Sequence, residues 1–358
     1  MLAILLAGAL LPAAARAAEP KPYDDLARAL AGMPQKEDGS LAALAKEAAW
    51  VEHAKVLSAD WTKLEKARLA PMRSWAAAEI PASTRTLFYP FSGPDFLTAQ
   101  VFFPKAPSYV LFALEPVGTL PDLKTSSGTA LSGYLESVQE SLADLFKRSY
   151  FRTRRMRTEL GKEGTNGVLP VLLVFAARAG LSIEDVKAVE IEKDGALSES
   201  AWEKAKSPRG VKVSLRDAGG RETSLYYFSA DISDAGLKRH AKILAYIRSL
   251  THVDTYLKSA SYLLHTDDFS KVRDAVLADS DRVLQDDSGL AYRAFDRARW
   301  DVRLYGTYER PIEEFPSILE PDLEEAYLTA KPKPVPFSLG YHWGKKRGTN
   351  LLFAVRKP

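Results

Sequence analysis

The chain has 358 residues, 46% of them apolar and 27% charged, with a formal net charge of +3 and no cysteine. That balance belongs to a folded globular protein, and a charge so near neutral gives no general electrostatic case for nucleic acid or a membrane surface. Without cysteine, disulfide staples, thiol catalysis and Cys-ligated zinc are excluded, and stability must come from the core alone.

Leu2 to Leu11 form an apolar run that Pro12 breaks, and Ala13 to Ala18 supply small residues with a cleavage pattern at Ala15-Arg16-Ala17. Residues 1–17 therefore read as a secretory signal peptide cut after Ala17, although no Lys or Arg precedes the apolar run. The run is too short for a membrane span, which needs roughly 20 residues. The expectation is a periplasmic or secreted protein with no membrane span, whose mature part of about 340 residues suits one large domain or two.

Residues 18–39 are polar and proline-bearing, a loose arm with one short helix. Ser40 has the chemistry of an N-cap. Trp50, Ala54, Leu57, Trp61 and Leu64 then alternate spacings of four and three, the stripe of an amphipathic helix that Pro71 ends or kinks. Residues 18–80 are thus expected to be a helical extension of an α/β domain at 81–358. Its stripe packs on that domain; the alternative is a partner-binding helix.

From Ser83 the pattern changes. Thr84 to Tyr89 is β-rich, Pro90 to Asp95 is a loop, Phe96 to Phe103 suits a short helix, and Ser108 to Leu114 reads as a strand buried on both faces. This is a βαβ unit and implies parallel pairing. Leu131, Leu135, Val138, Leu142 and Leu145 predict a helix reaching Met156, and Leu169 to Ala179 a buried one. Val186 to Glu192 alternates like a strand, and Val211 to Leu215 with Thr223 to Ser229 flank a turn at Asp217 to Gly220, an inserted hairpin near 211–229. Asp231 or Ser233 caps a helix to Ser249. Strands at 254–264, 282–285 and 299–308 follow, with helices at 269–278 and 322–328. Phe337 to Trp343 and Asn350 to Arg356 are expected to close the chain as a terminal antiparallel hairpin.

This order resembles the Rossmann-like sheet of class I S-adenosylmethionine-dependent methyltransferases. The matching positions are Ser92-Gly93-Pro94-Asp95 for the loop after the first strand, Glu115 for the ribose-holding acid after the second, and the closing hairpin. The resemblance implies a doubly wound fold and a nucleotide-type crevice. The loop departs from the pattern: it has one glycine, and Pro94 supplies no N–H. The fold class expected is therefore α/β, a mainly parallel Rossmann-like sheet with flanking helices, a C-terminal antiparallel hairpin and a helical N-terminal extension.

In open α/β sheets ligands sit beyond the carboxyl ends of the strands. The residues placed there are Ser92, Asp95, Glu115, His265, Asp267, Asp286, Asp287 and Ser288, a carboxylate-rich rim suited to a cation, an amine or a sugar. The competing reading is that Asp95, Asp267 and Asp268 cap helices and that 286–289 is turn chemistry. Ser92, His265 and Asp287 are the candidates for a catalytic set, with no G-x-S-x-G elbow to support them. No spacing matches a metal motif, so no metal or cofactor is implied. His53 and His240 are expected to be exposed. A basic run from Lys147 to Arg157 ends one helix, as helix-dipole chemistry favours, and is alternatively a patch for an anionic envelope component. The function expected is non-catalytic binding of a small molecule or envelope component at the rim; the alternative is a degenerate methyltransferase-like enzyme or a hydrolase using the acidic and histidine rim.

Overall fold

Ten strands form one mixed sheet, and its centre is set by the most apolar segments of the chain. The computed structural model describes residues 21–148, 165–309, 315–344 and 348–358. Residues 1–17, read above as a signal peptide, most of the basic run, the expected helix end at Met156 and the tip at 345–347 lie outside them. Helices α1 (Pro22–Leu30), α2 (Ala48–Leu64) and α3 (Ala70–Glu79) precede strand β1 (Leu87–Tyr89), helix α4 (Phe96–Phe102), strand β2 (Ser108–Ala113) and helices α5 (Gly128–Arg148) and α6 (Leu169–Arg178). Strands β3 (Ser182–Ile191), β4 (Leu197–Ala201), β5 (Gly210–Arg216) and β6 (Glu222–Ser229) lead to helices α7 (Asp234–Arg239) and α8 (Ala241–Ser249). Strand β7 (Val253–Leu257), helix α9 (Ser270–Asp279), strands β8 (Ser280–Gln285) and β9 (Trp300–Gly306), helix α10 (Pro321–Ala330) and strand β10 (Asn350–Arg356) complete the chain.

The strand order is β4-β3-β5-β6-β2-β1-β7-β8-β10-β9. Strands β6, β2, β1, β7 and β8 run parallel. All other pairings are antiparallel. The expected mainly parallel sheet is thus corrected to a mixed one, parallel only in its central five strands. Side chains alternate between faces as the pleat requires. Tyr89, Tyr109, Leu111 and Tyr256 pack with α1 to α6, whereas Phe88, Val110, Phe112 and Leu257 pack with α7, α8 and α9.

Four local expectations are overturned, and one strand, β4, was not expected. The closing hairpin is β9–β10, because β10 pairs with β8 and β9 while 340–342 is a short 3-10 turn. Strand β4 has one half-buried and four exposed residues, so no hydrophobic alternation marked it. The long N-terminal helix does not end at Pro71: it continues through a π-turn at Glu65–Leu69, which accommodates the missing N–H. The described part of residues 18–39 holds the one short helix expected, α1, but is no loose arm: Asp24 accepts from the Ile183 amide at 3.0 Å and from Lys36 at 2.7 Å, and Asp25 accepts from the Ser40 amide at 2.6 Å. Ser40 therefore donates its backbone N–H to Asp25 and does not cap α2, whose N-cap is Glu47. No helix among the described residues is long and apolar enough to cross a membrane.

The loop leaving β2 is held by glycine chemistry. Gly118 has φ +84°, and a Cβ there would lie 2.0 Å from the Asn166 carbonyl oxygen. Gly133, inside α5, faces open space. Gly118→Ala is expected to destabilise the protein by roughly 2–4 kcal/mol through strain and overlap. Gly133→Ala should stabilise it by about 0.5–1 kcal/mol through helix propensity. Urea denaturation midpoints of the two variants check both signs.

Candidate functional site

The chain leaves β1 for β2 and β6 on one side, then returns to β7 and β8 on the other. Their carboxyl ends therefore diverge about β1, the place where an open α/β sheet forms a crevice. A cavity of about 130 Å³ lies there. Its polar wall is Ser92, Gly93 and Asp95 after β1, Glu115 after β2, Asp231 after β6, and Lys258 and Ser259 after β7. Phe91, Phe112, Ile232, Leu263 and Phe269 supply apolar walls.

Each polar group is fixed by local structure. Ser92 Oγ donates to the carbonyls of Gly93 at 2.8 Å and Phe112 at 3.2 Å, tying the loop down to β2. Asp95 caps α4 and accepts from the Thr98 amide at 3.2 Å, the Thr98 hydroxyl at 2.6 Å and the Tyr89 hydroxyl at 3.3 Å. It is also ion-paired with Lys258, and both side chains are 2% exposed. Glu115 is buried, and no hydrogen bond from a described residue reaches its carboxylate. Ser259 is held at φ +56°, and its buried hydroxyl likewise has no hydrogen-bond partner among the described residues.

The candidates after β7 and β8 fall elsewhere. Strand β7 ends at Leu257, not near 264, because the backbone turns at Ser259 into a 3-10 segment, Ser259–His265. The residue at the strand end is Lys258, and His265 is displaced to the far end of that segment. Its Nδ1 faces Glu320 at 3.4 Å, while Nε2 has no hydrogen-bond partner among the described residues. Asp267 and Asp268 are exposed and cap nothing. The amide of Lys271, in the first turn of α9, is met instead by Asp234, at 3.0 Å.

Asp286, Asp287 and Ser288 are buried under the chain at 337–342, where Phe337 and Leu339 are wholly enclosed. Asp286 accepts from the Ser288 amide at 3.0 Å, and a Cβ on Gly340 would stand 2.3 Å from its free oxygen. Asp287 accepts from His342 Nε2 at 3.0 and 3.1 Å, and its amide donates to Asn350 at 2.8 Å. The space beside them is about 10 Å³. That volume admits no ligand.

The structure therefore brings Ser92, Asp95 and Glu115 to one cavity and leaves His265, Asp267, Asp286, Asp287 and Ser288 outside it. Ser92, His265 and Asp287 form no hydrogen bond with one another. No group of three or more His, Asp or Glu that could hold a metal occurs among the described residues. Sequence reading missed Lys258, Ser259 and Glu320. Lysine inside the strand candidate 254–264 was the available signal, since a buried lysine requires a partner. His53, expected at the surface, is buried between the Leu30 carbonyl at 2.9 Å and Gln139 at 3.0 Å. Comparison with protein-family models and with curated proteins returns no match.

Charge is perturbed most in the enclosed group beyond β8. Burial, with Asp287 nearby, pushes Glu320 up to about 7. Burial and the Asp287 carboxylate likewise push Asp286 up to about 6, against the Ser288 hydrogen bonds. Burial lowers His265, so the neutral acid and neutral imidazole are favoured over an ion pair. A carboxyl raised from 4.5 to about 7 stabilises the fold fully below the lower value and loses that stabilisation as pH rises through the upper one. Glu320→Gln should therefore gain stability relative to the wild type by roughly 2–3 kcal/mol between about pH 5 and pH 8. Urea melts across that range test it; a constant difference would refute the assignment.

Proposed function

We propose that the protein is an exported, non-catalytic binder of a small molecule that carries one apolar ring and a hydroxyl or ammonium donor. The observation that carries this reading is Glu115, a buried residue of the crevice wall whose carboxylate receives no hydrogen bond from a described residue. A ligand donor entering the crevice can meet that carboxylate. Ser259 adds a second unsatisfied group, able to give or take a hydrogen bond. The aromatic walls favour a ring. Export rests on the pattern in residues 1–17.

One specific observation favours a second reading. Order β6-β2-β1-β7-β8-β10-β9, with β10 antiparallel to both of its neighbours, supports the Rossmann-like arrangement that the resemblance to class I methyltransferases implies. Against a working S-adenosylmethionine site stand the small crevice, the absent N–H at Pro94 and the Asp95–Lys258 pair beneath the loop. The binder is the better fit.

Tyramine, a single ring with an ammonium and a hydroxyl, is expected to raise the melting temperature by a few degrees at saturation. The shift should vanish in Glu115→Gln and in Ile232→Trp, which fills the crevice. A shift that persists in both variants, or none in the wild type, defeats the reading, and a shift with S-adenosylmethionine alone would favour the second. Separately, intact-mass measurement of the exported species should give a chain starting at Ala18; retention of residues 1–17 would reject export by this signal.

A further inference from the structure

A second, larger cavity lies beside the crevice, between the antiparallel extension of the sheet and the α7–α8 turn. It measures about 770 Å³, within the usual range for small-molecule sites. Phe228 of β6 and Ile243 of α8 are buried and give it an apolar floor. Its mouth is cationic: Lys206 and Arg209 come from the segment before β5, and Arg239 and Lys242 from the α7–α8 turn. Arg239 is paired with Asp231 at 2.8 Å. Lys206, Arg209 and Lys242 have no carboxylate partner among the described residues, and Glu190 is the other acid in the lining. His240 stands at the same mouth.

The cleft exists because β3, β4 and β5 continue the sheet past β6. Without them the parallel core would end at β6, and Lys206 and Arg209 would have no wall to stand on. Solvated lysines on a convex surface need no explanation. Here, however, unpaired cations from two separate segments ring a concave apolar floor, which is the lining an anion with a hydrophobic body requires.

We propose that this cleft is a binding site for an organic anion, a molecule with a flat apolar ring system and a sulfonate, phosphate or carboxylate group. The rings lie on Phe228 and Ile243, and the anionic group meets Arg209 and Lys242. The site is distinct from the crevice at Glu115, whose charge would repel such a ligand.

The test uses 8-anilinonaphthalene-1-sulfonate as the probe and the full folded chain as the receptor. Its fluorescence should rise with single-site saturation and weaken as salt increases. The double variant Arg209→Glu/Lys242→Glu should lower affinity by about tenfold or more. N-phenyl-1-naphthylamine, with the same rings and no sulfonate, should bind the wild type about tenfold less tightly or worse. Saturating tyramine, which addresses the other crevice, should leave probe binding unchanged. Equal affinity in the charge-reversed variant, equal affinity for the neutral analogue, displacement of the probe by tyramine, or no binding at all would each overturn the proposal. Both reversed residues are exposed. Should their reversal lower the melting temperature, Arg209→Gln/Lys242→Gln gives the same comparison, and unchanged affinity there also overturns it.

Discussion

The ion pair between Asp95 and Lys258 is the constraint on which the carboxyl edge of this sheet depends. It joins the loop after β1 to the end of β7, across the place where the chain divides to either side of β1. Two buried charges are expensive, and their mutual attraction offsets that cost only when the remaining lone pairs and protons are satisfied. Asp95 meets the condition: the Thr98 amide, the Thr98 hydroxyl and the Tyr89 hydroxyl complete its shell. One side chain thereby caps α4, orients the β1 loop and holds β7. Both residues of the pair also line the crevice.

The same edge carries three environments of different character within one row of strand ends. At the centre, the crevice has apolar walls and a carboxylate, Glu115, that no described residue hydrogen-bonds. Beyond it, burial drives Glu320, Asp286 and His265 toward their neutral forms. Beyond β6, cations stand open around an apolar floor. The divergence follows from what borders the parallel core. Antiparallel β10 and β9 bring a covering segment that closes one flank, whereas β5, β3 and β4 extend the sheet and leave the other flank concave.

Much of this architecture was legible in the sequence because it is local. The buried run of β2, the stripe of α2, the apolar surround of α6 and the turn between β5 and β6 each declare themselves within a dozen residues. The failures were non-local. The partner of β10 lies about fifty residues upstream in β9, with a helix between them, so proximity in sequence pointed to the wrong hairpin. Strand β4 is too exposed to carry a hydrophobic signature. His53 lies between Trp50 and Leu57 on the buried stripe of its own helix, and α1 and α5 supply its hydrogen-bond partners.

The candidate site shows the same division more sharply. Ser92, Asp95 and Glu115 follow strands whose ends the sequence marked correctly, and all three reach the crevice. The error at β7 propagated: Asp254 to Leu264 reads as one strand, yet Lys258 cannot be buried in it without a counter-charge. That counter-charge is Asp95, 163 residues away. Neither residue announces the pair alone. Once β1 and β7 are parallel neighbours, however, a lysine at one strand end and an aspartate after the other are brought face to face, and the strand must turn at Ser259 for the ammonium to reach its partner. Pairing direction, rather than composition, decided which polar residues line the crevice and which are sealed away.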